Sequence, residues 1–244
     1  MKRKIFIKWF DILDSTNNEA LRGIKDYDNM SVIAARCQTA GKGQRGNRWY
    51  SEKGQNLMFS IVLKFSDFPA REQFLISQKA SLGIKDYLEN YGLDVKIKWP
   101  NDIYIADRKI CGILIENAIR AGSLAYSIVG IGLNLNQTEW GDTAPNPTSL
   151  MKERPQASGY SPDEELPKLT GCIFSRIESD DTAGIKAGYH GAMYRLGERH
   201  LYENRLTGER FSGTITGVTE KGTLLVKNGE GAINEFAFKE ISYL

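Results

Sequence analysis

Apolar residues in the first hundred positions come in short runs separated by polar stretches. The runs at residues 5–10, 32–37 and 57–65 have the length of strands, and each predicts a buried strand. Residues 69–91 instead carry apolar side chains at helical spacing, and Gly92 closes that stretch as a helix-ending glycine does. The pattern predicts a sheet with a long helix packed against it.

A short helix is predicted between the first two strands. Thr16 is followed three residues later by Glu19, which fits a capping box, so the helix should run for about two to three turns and end near Gly23. Hairpin and turn signals lie at residues 107–109 and 141–147. Four further strands are predicted, at residues 95–99, 103–106, 110–116 and 124–135. Two later helices are predicted, at residues 162–178 and 183–196.

The texture of the chain changes after Glu198. Glycines then punctuate short β-rich runs such as residues 214–218 and 224–227, which is the pattern of a small antiparallel barrel. We therefore expect an α+β protein: a mixed sheet flanked by helices over residues 1–197, followed by a small β-barrel over residues 198–244.

Charge and cysteine content exclude several classes of protein. Lys and Arg total 32 and Asp and Glu total 30, so no overall basic excess indicates binding to nucleic acid through phosphate contacts. The three cysteines show no zinc spacing and no C-x-x-C, so we predict reduced thiols and no protein-borne metal site. Signal-peptide and membrane-spanning patterns are absent, so we predict a cytoplasmic protein without membrane contact.

The polar stretch over residues 38–56 is long for a loop in a compact domain, and such loops tend to be functional. Its segment GKGQRG, residues 41–46, matches G-x-G-x-x-G, but no helix pattern follows it and it lacks the terminal G-K-S/T of a phosphate loop. Glycines, three basic residues and Trp49 suit an anion with a planar part, such as a nucleotide phosphate. The alternative is a solvated surface loop.

Five segments, in order, resemble the motifs of biotin protein ligases. Residues 38–49 are similar to the biotinyl-adenylate loop of that family. The other four are STN at 15–17, KWPND at 98–102, KICGILIE at 109–116 and GIGLNLN at 130–136. The C-terminal part resembles the SH3-like domain of the family. The resemblance implies a class II synthetase-like catalytic domain, and a monofunctional protein without the DNA-binding domain of larger members.

The resemblance implies an ATP-dependent ligase. Biotin would be activated as biotinyl-5′-AMP with ATP and Mg²⁺, and then transferred to a lysine of the biotin carboxyl carrier protein domain of a carboxylase. One alternative is a lipoate or octanoate ligase or transferase of related fold, and another is a non-catalytic sensor of biotin. DNA binding is not expected, and the oligomeric state, monomer or homodimer, stays open.

The same resemblance implies roles for individual residues at the biotin end. Ser15, Thr16 and Gln38 would surround the ureido ring of biotin, whose N–H and C=O groups need partners when buried. Helix capping is the alternative role for the two hydroxyls. Further residues are implied in binding biotin or its adenylate: Asn17, Gly41, Lys42, Gly43, Gln44, Trp49, Asn101 and Gly112.

Charged residues are implied at the reacting end. Lys109 would contact the biotin carboxylate and the α-phosphate, and Asp102 would steer the acceptor lysine. Lys98 and Asn134 would lie near the adenylate phosphate or Mg²⁺. The alternatives are a solvated turn lysine for Lys109, a turn role for Asp102 and a strand-end cap for Asn134.

The chain departs from the family pattern at one position of the loop. Gln44 stands where most members carry an arginine that holds the adenylate. The neighbouring Arg45 could substitute if the loop closes with a small shift, and we therefore name Arg45 as a catalytic candidate.

Overall fold

The structure, a computed structural model, describes residues 5–141 and 146–244, with the side chain of Arg45 left undescribed. Its larger sheet has the strand order β1-β2-β3-β7-β6-β5-β4. The strands are β1 Ile7–Phe10, β2 Ser31–Ala35, β3 Leu57–Lys64, β4 Val95–Lys98, β5 Asp102–Ile105, β6 Arg108–Arg120 and β7 Ser123–Leu133. The pair β1 and β2 is parallel and the other neighbours are antiparallel, so the sheet is mixed, as predicted.

The two faces of this sheet are covered differently. The α-helices are α1 Thr16–Arg22, α2 Phe74–Glu89, α3 Leu150–Glu153, α4 Pro162–Ile177 and α5 Thr182–Gly191, with 3-10 helices at Gln44–Gly46 and Ala70–Glu72. Helix α2 packs on the face that carries Phe59 and Ile61, and α4 and α5 pack against α2 to form the main core. On the opposite face, α1 covers Val62 and Ile128 at one side of the sheet only.

The smaller sheet is antiparallel and has the order β11-β10-β9-β8-β12. Its strands are β8 Arg199–Asn204, β9 Arg210–Val218, β10 Leu224–Asn228, β11 Ile233–Phe236 and β12 Ile241–Tyr243. Over the described residues its edge strands do not pair with each other, so the sheet is open rather than a closed barrel. It docks on the larger sheet where Trp99 Nε1 donates to Gly222 O at 2.8 Å. The division after residue 197 stays a prediction.

Most of the predicted elements are confirmed, and the clearest differences are at one helix and one hairpin turn. The helix predicted over residues 183–196 ends at Gly191. The hairpin turn lies at Ala106 and Asp107, with Ala106 in the left-handed region at φ 49°, so Lys109 belongs to strand β6 and the turn predicted at 107–109 is misplaced. Residues 142–145 of the predicted turn lie outside the described residues.

The capping box predicted at the start of α1 is wrong. The N-cap is Ser15 rather than Thr16, and the Ser15 side chain makes no capping hydrogen bond. Helix α1 is instead fixed by packing of Ala20 and by polar contacts from its first turn to the sheet. None of the helices in the described ranges is both long and apolar enough to cross a membrane.

Candidate active site

One row of paired residues crosses five strands of the larger sheet. Met58, Gly132, Gly112, Asp102 and Lys98 lie opposite one another in β3, β7, β6, β5 and β4. Directly opposed residues project to the same face, and this is the face that α1 covers only in part. Four residues of the row line the floor of a cavity of about 1140 Å³: Gly132, Gly112, Asp102 and Lys98.

The cavity brings together residues that are far apart in the sequence. All candidates named from the sequence line it except Arg45, whose side chain lies outside the described part of the chain: Ser15, Thr16, Asn17, Gln38, Gly41, Lys42, Gly43, Gln44, Trp49, Lys98, Asn101, Asp102, Lys109, Gly112 and Asn134. The motifs converge because β4, β5, β6 and β7 are neighbours in one sheet.

The end of the cavity beneath α1 is polar and buried. The Thr16 N–H donates to Gln38 Oε1 at 2.7 Å, which orients the Gln38 amide. Ser60 Oγ donates to Asn17 Oδ1 at 2.6 Å and lies 2.8 Å from Thr16 Oγ1. Ser15, Thr16 and Asn17 are all buried, and the Ser15 hydroxyl is not used in capping. This end therefore presents fixed hydroxyl and amide groups to a ligand.

Glu116 joins this polar end to the glycine-rich loop. Asn17 Nδ2 donates to Glu116 Oε2 at 2.7 Å, and Lys42 Nζ lies 3.8 Å from Glu116 Oε1. Glu116 is the last residue of the KICGILIE motif, but no role for it could be inferred from the sequence. The carboxylate contacts both α1 and the loop, so it couples the placement of the two.

Trp49 lies on a floor of glycines. A Cβ added to Gly132 would lie 2.6 Å from Trp49 Cζ2, and one added to Gly112 would lie 3.0 Å from Trp49 Cζ3. The backbone N–H of Trp49 donates to Gly41 O at 3.0 Å, which ties the backbone of Trp49 to the start of the loop. The indole Nε1 is buried and lacks a partner within the described ranges. A side chain at position 132 would therefore collide with the indole, and a methyl group at position 112 would require the indole to shift by a few tenths of an ångström.

A β-bulge aims Lys109 into the cavity. The pairing of β5 with β6 shifts between Ile103 and Tyr104, which leaves Ile110 as an extra residue in β6. Bulges re-aim side chains, and this one places Lys109 on the face of the row. Its Nζ lies 2.7 Å from Asp102 Oδ1, with both side chains about three-quarters buried. Lys109 is therefore a strand residue in an ion pair rather than a solvated turn lysine.

Two asparagines of the motifs are fixed by the backbone around them. Asn101 Nδ2 donates to Ile113 O, and Asn134 Nδ2 donates to Thr148 O at 2.8 Å. Asn134 Oδ1 is buried without a partner among the described residues, so it offers one free acceptor at the cavity. Across these residues no group of three His, Cys, Asp or Glu side chains could hold a metal ion.

Lys98 ends the row beneath aromatic side chains. Its Nζ donates to Tyr104 OH at 3.1 Å and lies 4.8 Å from the ring centroid of Tyr243. Burial lowers the pKa of Lys98, and the nearby Asp102 carboxylate acts in the opposite direction. Tyr104, Ile241 and Tyr243 line the cavity but were not identified from the sequence, because no motif contains them.

Comparison with known proteins agrees with this arrangement. The sequence model of the biotin/lipoate A/B protein ligase family matches residues 9–134. The chain is 30% identical over 227 residues to the biotin--[acetyl-CoA-carboxylase] ligase of Paracoccus denitrificans, covering 89% of this chain and 92% of that protein. It is 36% identical over 125 residues to the bifunctional ligase/repressor BirA of Escherichia coli (strain K12). That match covers 51% of this chain and spans only 39% of the length of BirA.

Solved structures show the same backbone arrangement. The biotin protein ligase from Aquifex aeolicus in complex with biotin and ATP superposes with a TM-score of 0.76 at 26% identity, covering 97% of both chains. The likeness extends over both sheets, and it confirms the α+β fold with a small SH3-like domain. The family match covers more than half of the chain, and a relative with 30% identity aligns over nearly its full length. This chain therefore belongs to the biotin/lipoate A/B protein ligase family.

Proposed function

We propose that this chain joins biotin to a lysine of a biotin carboxyl carrier protein in two steps that consume ATP. One observation carries the proposal: a single cavity has a buried polar end, a middle bordered by the Trp49 indole and by glycines of β6 and β7, and an end that carries Lys109 and Lys98. Those three parts suit, in order, a ureido ring, an alkyl chain and a carboxylate next to a phosphate.

The polar end favours biotin over lipoate. A buried ureido ring needs acceptors for two N–H groups and donors for one C=O, and Ser15, Thr16 and Gln38 supply groups of both kinds. The dithiolane ring of lipoate has neither N–H nor C=O, so binding it there would leave those polar groups without partners at a cost.

In the proposed first step, a biotin carboxylate oxygen attacks the α-phosphorus of ATP. The new O–P bond forms as the bond to the β-phosphate oxygen breaks, and pyrophosphate leaves. Lys109 would offset the negative charge that gathers between carboxylate and phosphate, where a fixed cation is most effective. Lys98 and Asn134 would contact the phosphate, and Mg²⁺ would enter with ATP.

In the proposed second step, the lysine amine of the carrier attacks the acyl carbon. The C–N bond forms, the bond from the acyl carbon to the AMP oxygen breaks, and AMP leaves. Asp102 would orient the incoming ammonium and help to remove its proton. Asp102 forms an ion pair with Lys109, so its carboxylate would lie beside the site of the first step. One floor position would therefore serve both steps.

Relatives support this assignment. The Paracoccus denitrificans protein is named a biotin--[acetyl-CoA-carboxylase] ligase, and the Aquifex aeolicus ligase was solved with biotin and ATP.

For Arg45 we keep the proposal that it holds the adenylate in place of an arginine at position 44. Faster release of adenylate from Arg45→Ala would support that role, and unchanged release would reject it.

Three free thiols favour a cytoplasmic location.

Mass spectrometry of an apo carrier domain tests the function. The domain is incubated with enzyme, ATP, Mg²⁺ and equal concentrations of biotin and lipoate. We expect the mass of biotin, less water, on one lysine, and much slower formation of this product with Lys109→Met. An excess of lipoylated carrier would favour the lipoate ligase alternative. If neither product forms on a carrier domain that is known to accept biotin, the proposal is rejected.

A further inference from the structure

The Lys98 ammonium lies among aromatic rings from both sheets. Its Nζ is 4.7 Å from the ring centroid of Tyr104, 4.8 Å from that of Tyr243 and 5.9 Å from that of Tyr194. Tyr104 belongs to β5 of the larger sheet, whereas Tyr243 belongs to β12 of the smaller one. The smaller sheet thus supplies part of the surroundings of a residue at the end of the catalytic row.

Tyr243 offers a ring to Lys98 rather than a hydroxyl. Its hydroxyl is buried without a partner in the described parts of the chain, so it does not anchor the side chain by a hydrogen bond. The ring packs edge-on against Tyr202 at 5.5 Å, and the pairing of β12 with β8 fixes its backbone. The face of an aromatic ring attracts a cation through its quadrupole, and more strongly when water is excluded.

The residue after Lys98 is held by the same sheet. Trp99 Nε1 donates to Gly222 O at 2.8 Å, and the Trp99 ring packs against Phe238 with centroids 5.2 Å apart. The end of β4 is therefore clamped through its backbone neighbour, while Tyr243 contacts the Lys98 side chain itself. A lysine has four rotatable bonds, so a fixed backbone does not by itself fix its ammonium.

We propose that Tyr243 is a positioning residue that holds the Lys98 ammonium at the phosphate end of the cavity. The inference rests on the proposed function, because it assigns ATP phosphate as the anion that Lys98 meets. The smaller sheet would then contribute the Tyr243 side chain to the site where ATP reacts. The polar end lies near β3, four strands from β4 in the larger sheet.

Tyr243→Leu and the matched control Tyr243→Phe test the proposal. We expect Tyr243→Leu to raise the KM for ATP about tenfold, because one cation–π contact is lost, and to leave the KM for biotin unchanged. Tyr243→Phe keeps the ring and loses only a hydroxyl without a partner, so it should match the wild type. In a Lys98→Met background, Tyr243→Leu should raise the KM for ATP no further.

A second measurement does not depend on activity. Each protein is treated with a limiting amount of acetic anhydride, and acetylation of Lys98 is followed by peptide mass spectrometry. We expect faster labelling in Tyr243→Leu than in the wild type and Tyr243→Phe. If Tyr243→Leu does not fold, Tyr243→Met, which also lacks a π face, takes its place.

Any of three results would overturn the proposal. The first is an unchanged KM for ATP and unchanged acetylation of Lys98 in Tyr243→Leu. The second is a KM for ATP that rises as much in Tyr243→Phe as in Tyr243→Leu, and the third is a full rise of about tenfold when Tyr243→Leu is added to Lys98→Met. Failure of the proposed function would look different. The wild type would then make no biotinyl-AMP, while the labelling comparison would still decide whether Tyr243 holds Lys98.

Discussion

Gly132→Ala tests the close approach of Trp49 to the cavity floor. The added methyl group would lie 2.6 Å from Trp49 Cζ2 and 2.8 Å from Nε1, closer than real Cβ atoms approach other atoms. Gly132 is paired on both sides, with Met58 in β3 and Gly112 in β6, so its backbone cannot yield easily. The indole must move instead, and the loop that carries it must move with it.

The added methyl group should destabilise the position of the loop that carries Trp49, and not the fold as a whole. Forcing one extra carbon into a packed site costs about 1–3 kcal/mol, and alanine is well tolerated in a strand. Because each 1.4 kcal/mol is about a factor of ten, we expect kcat/KM for adenylate formation to fall by roughly 5- to 150-fold. The melting temperature should change little. Gly171→Ala is the control, since a methyl group there meets no atom within 4 Å.

The assay is biotin-dependent exchange of labelled pyrophosphate into ATP, in single and double variants. Trp49→Leu removes the ring atoms that would collide, so Gly132→Ala should cost much less in that background than in the wild type. Coupling of about 1 kcal/mol or more between the two positions is expected for residues in contact. Equal costs in both backgrounds, or full activity of Gly132→Ala, would show that contact between Gly132 and the indole does not matter for adenylate formation.

Three further predictions concern charged side chains. Lys109→Met should lower pyrophosphate exchange by about 100-fold while Lys109→Arg loses less, and exchange within threefold of the wild type in Lys109→Met would contradict its role. Glu116→Ala removes the acceptor for Asn17 and should weaken biotin binding, measured by calorimetry, by about tenfold. Glu116→Gln keeps an acceptor oxygen and should lower the affinity less. An equal loss of affinity in both variants would argue against that contact. Burial opposes ionisation of Glu165, but hydrogen bonds from Lys168 and two tyrosines outweigh it and lower its pKa. Its carboxylate therefore stabilises the fold at neutral pH, and this contribution is lost as the pH falls below about 4.3 and through the folded pKa. Glu165→Gln should lower the melting temperature at pH 7 and flatten its acid dependence, and an unchanged acid slope would contradict this.

Local patterns carried much of the fold. Short apolar runs predicted strands of the larger sheet because nearly every residue of a central strand is buried and therefore apolar, as in β3. The hairpins that join β4 to β5, β5 to β6 and β6 to β7 are local connections, so motifs on those strands had to become neighbours. That adjacency is why KWPND, KICGILIE and GIGLNLN meet in one row.

Features that depend on tertiary packing could not be predicted. The bulge at Ile110 leaves no mark on an apolar run, yet it decides where Lys109 points. Glu116 is a half-exposed strand residue whose role follows from Asn17 and Lys42, which are distant in sequence. Tyr243 reaches the site only because a second sheet docks there. The S/T-x-x-E pattern failed as a cap because contacts to the sheet engage Thr16.

The most direct test of the account is whether biotin alone makes the protein activate ATP. Labelled pyrophosphate is offered with ATP and Mg²⁺, without any carrier, in the presence of biotin, lipoate or neither. We expect exchange with biotin only, and its loss when Thr16→Val removes a hydroxyl from the polar end. Exchange without biotin, or equal exchange with lipoate, would contradict the claim that this cavity selects biotin and forms its adenylate.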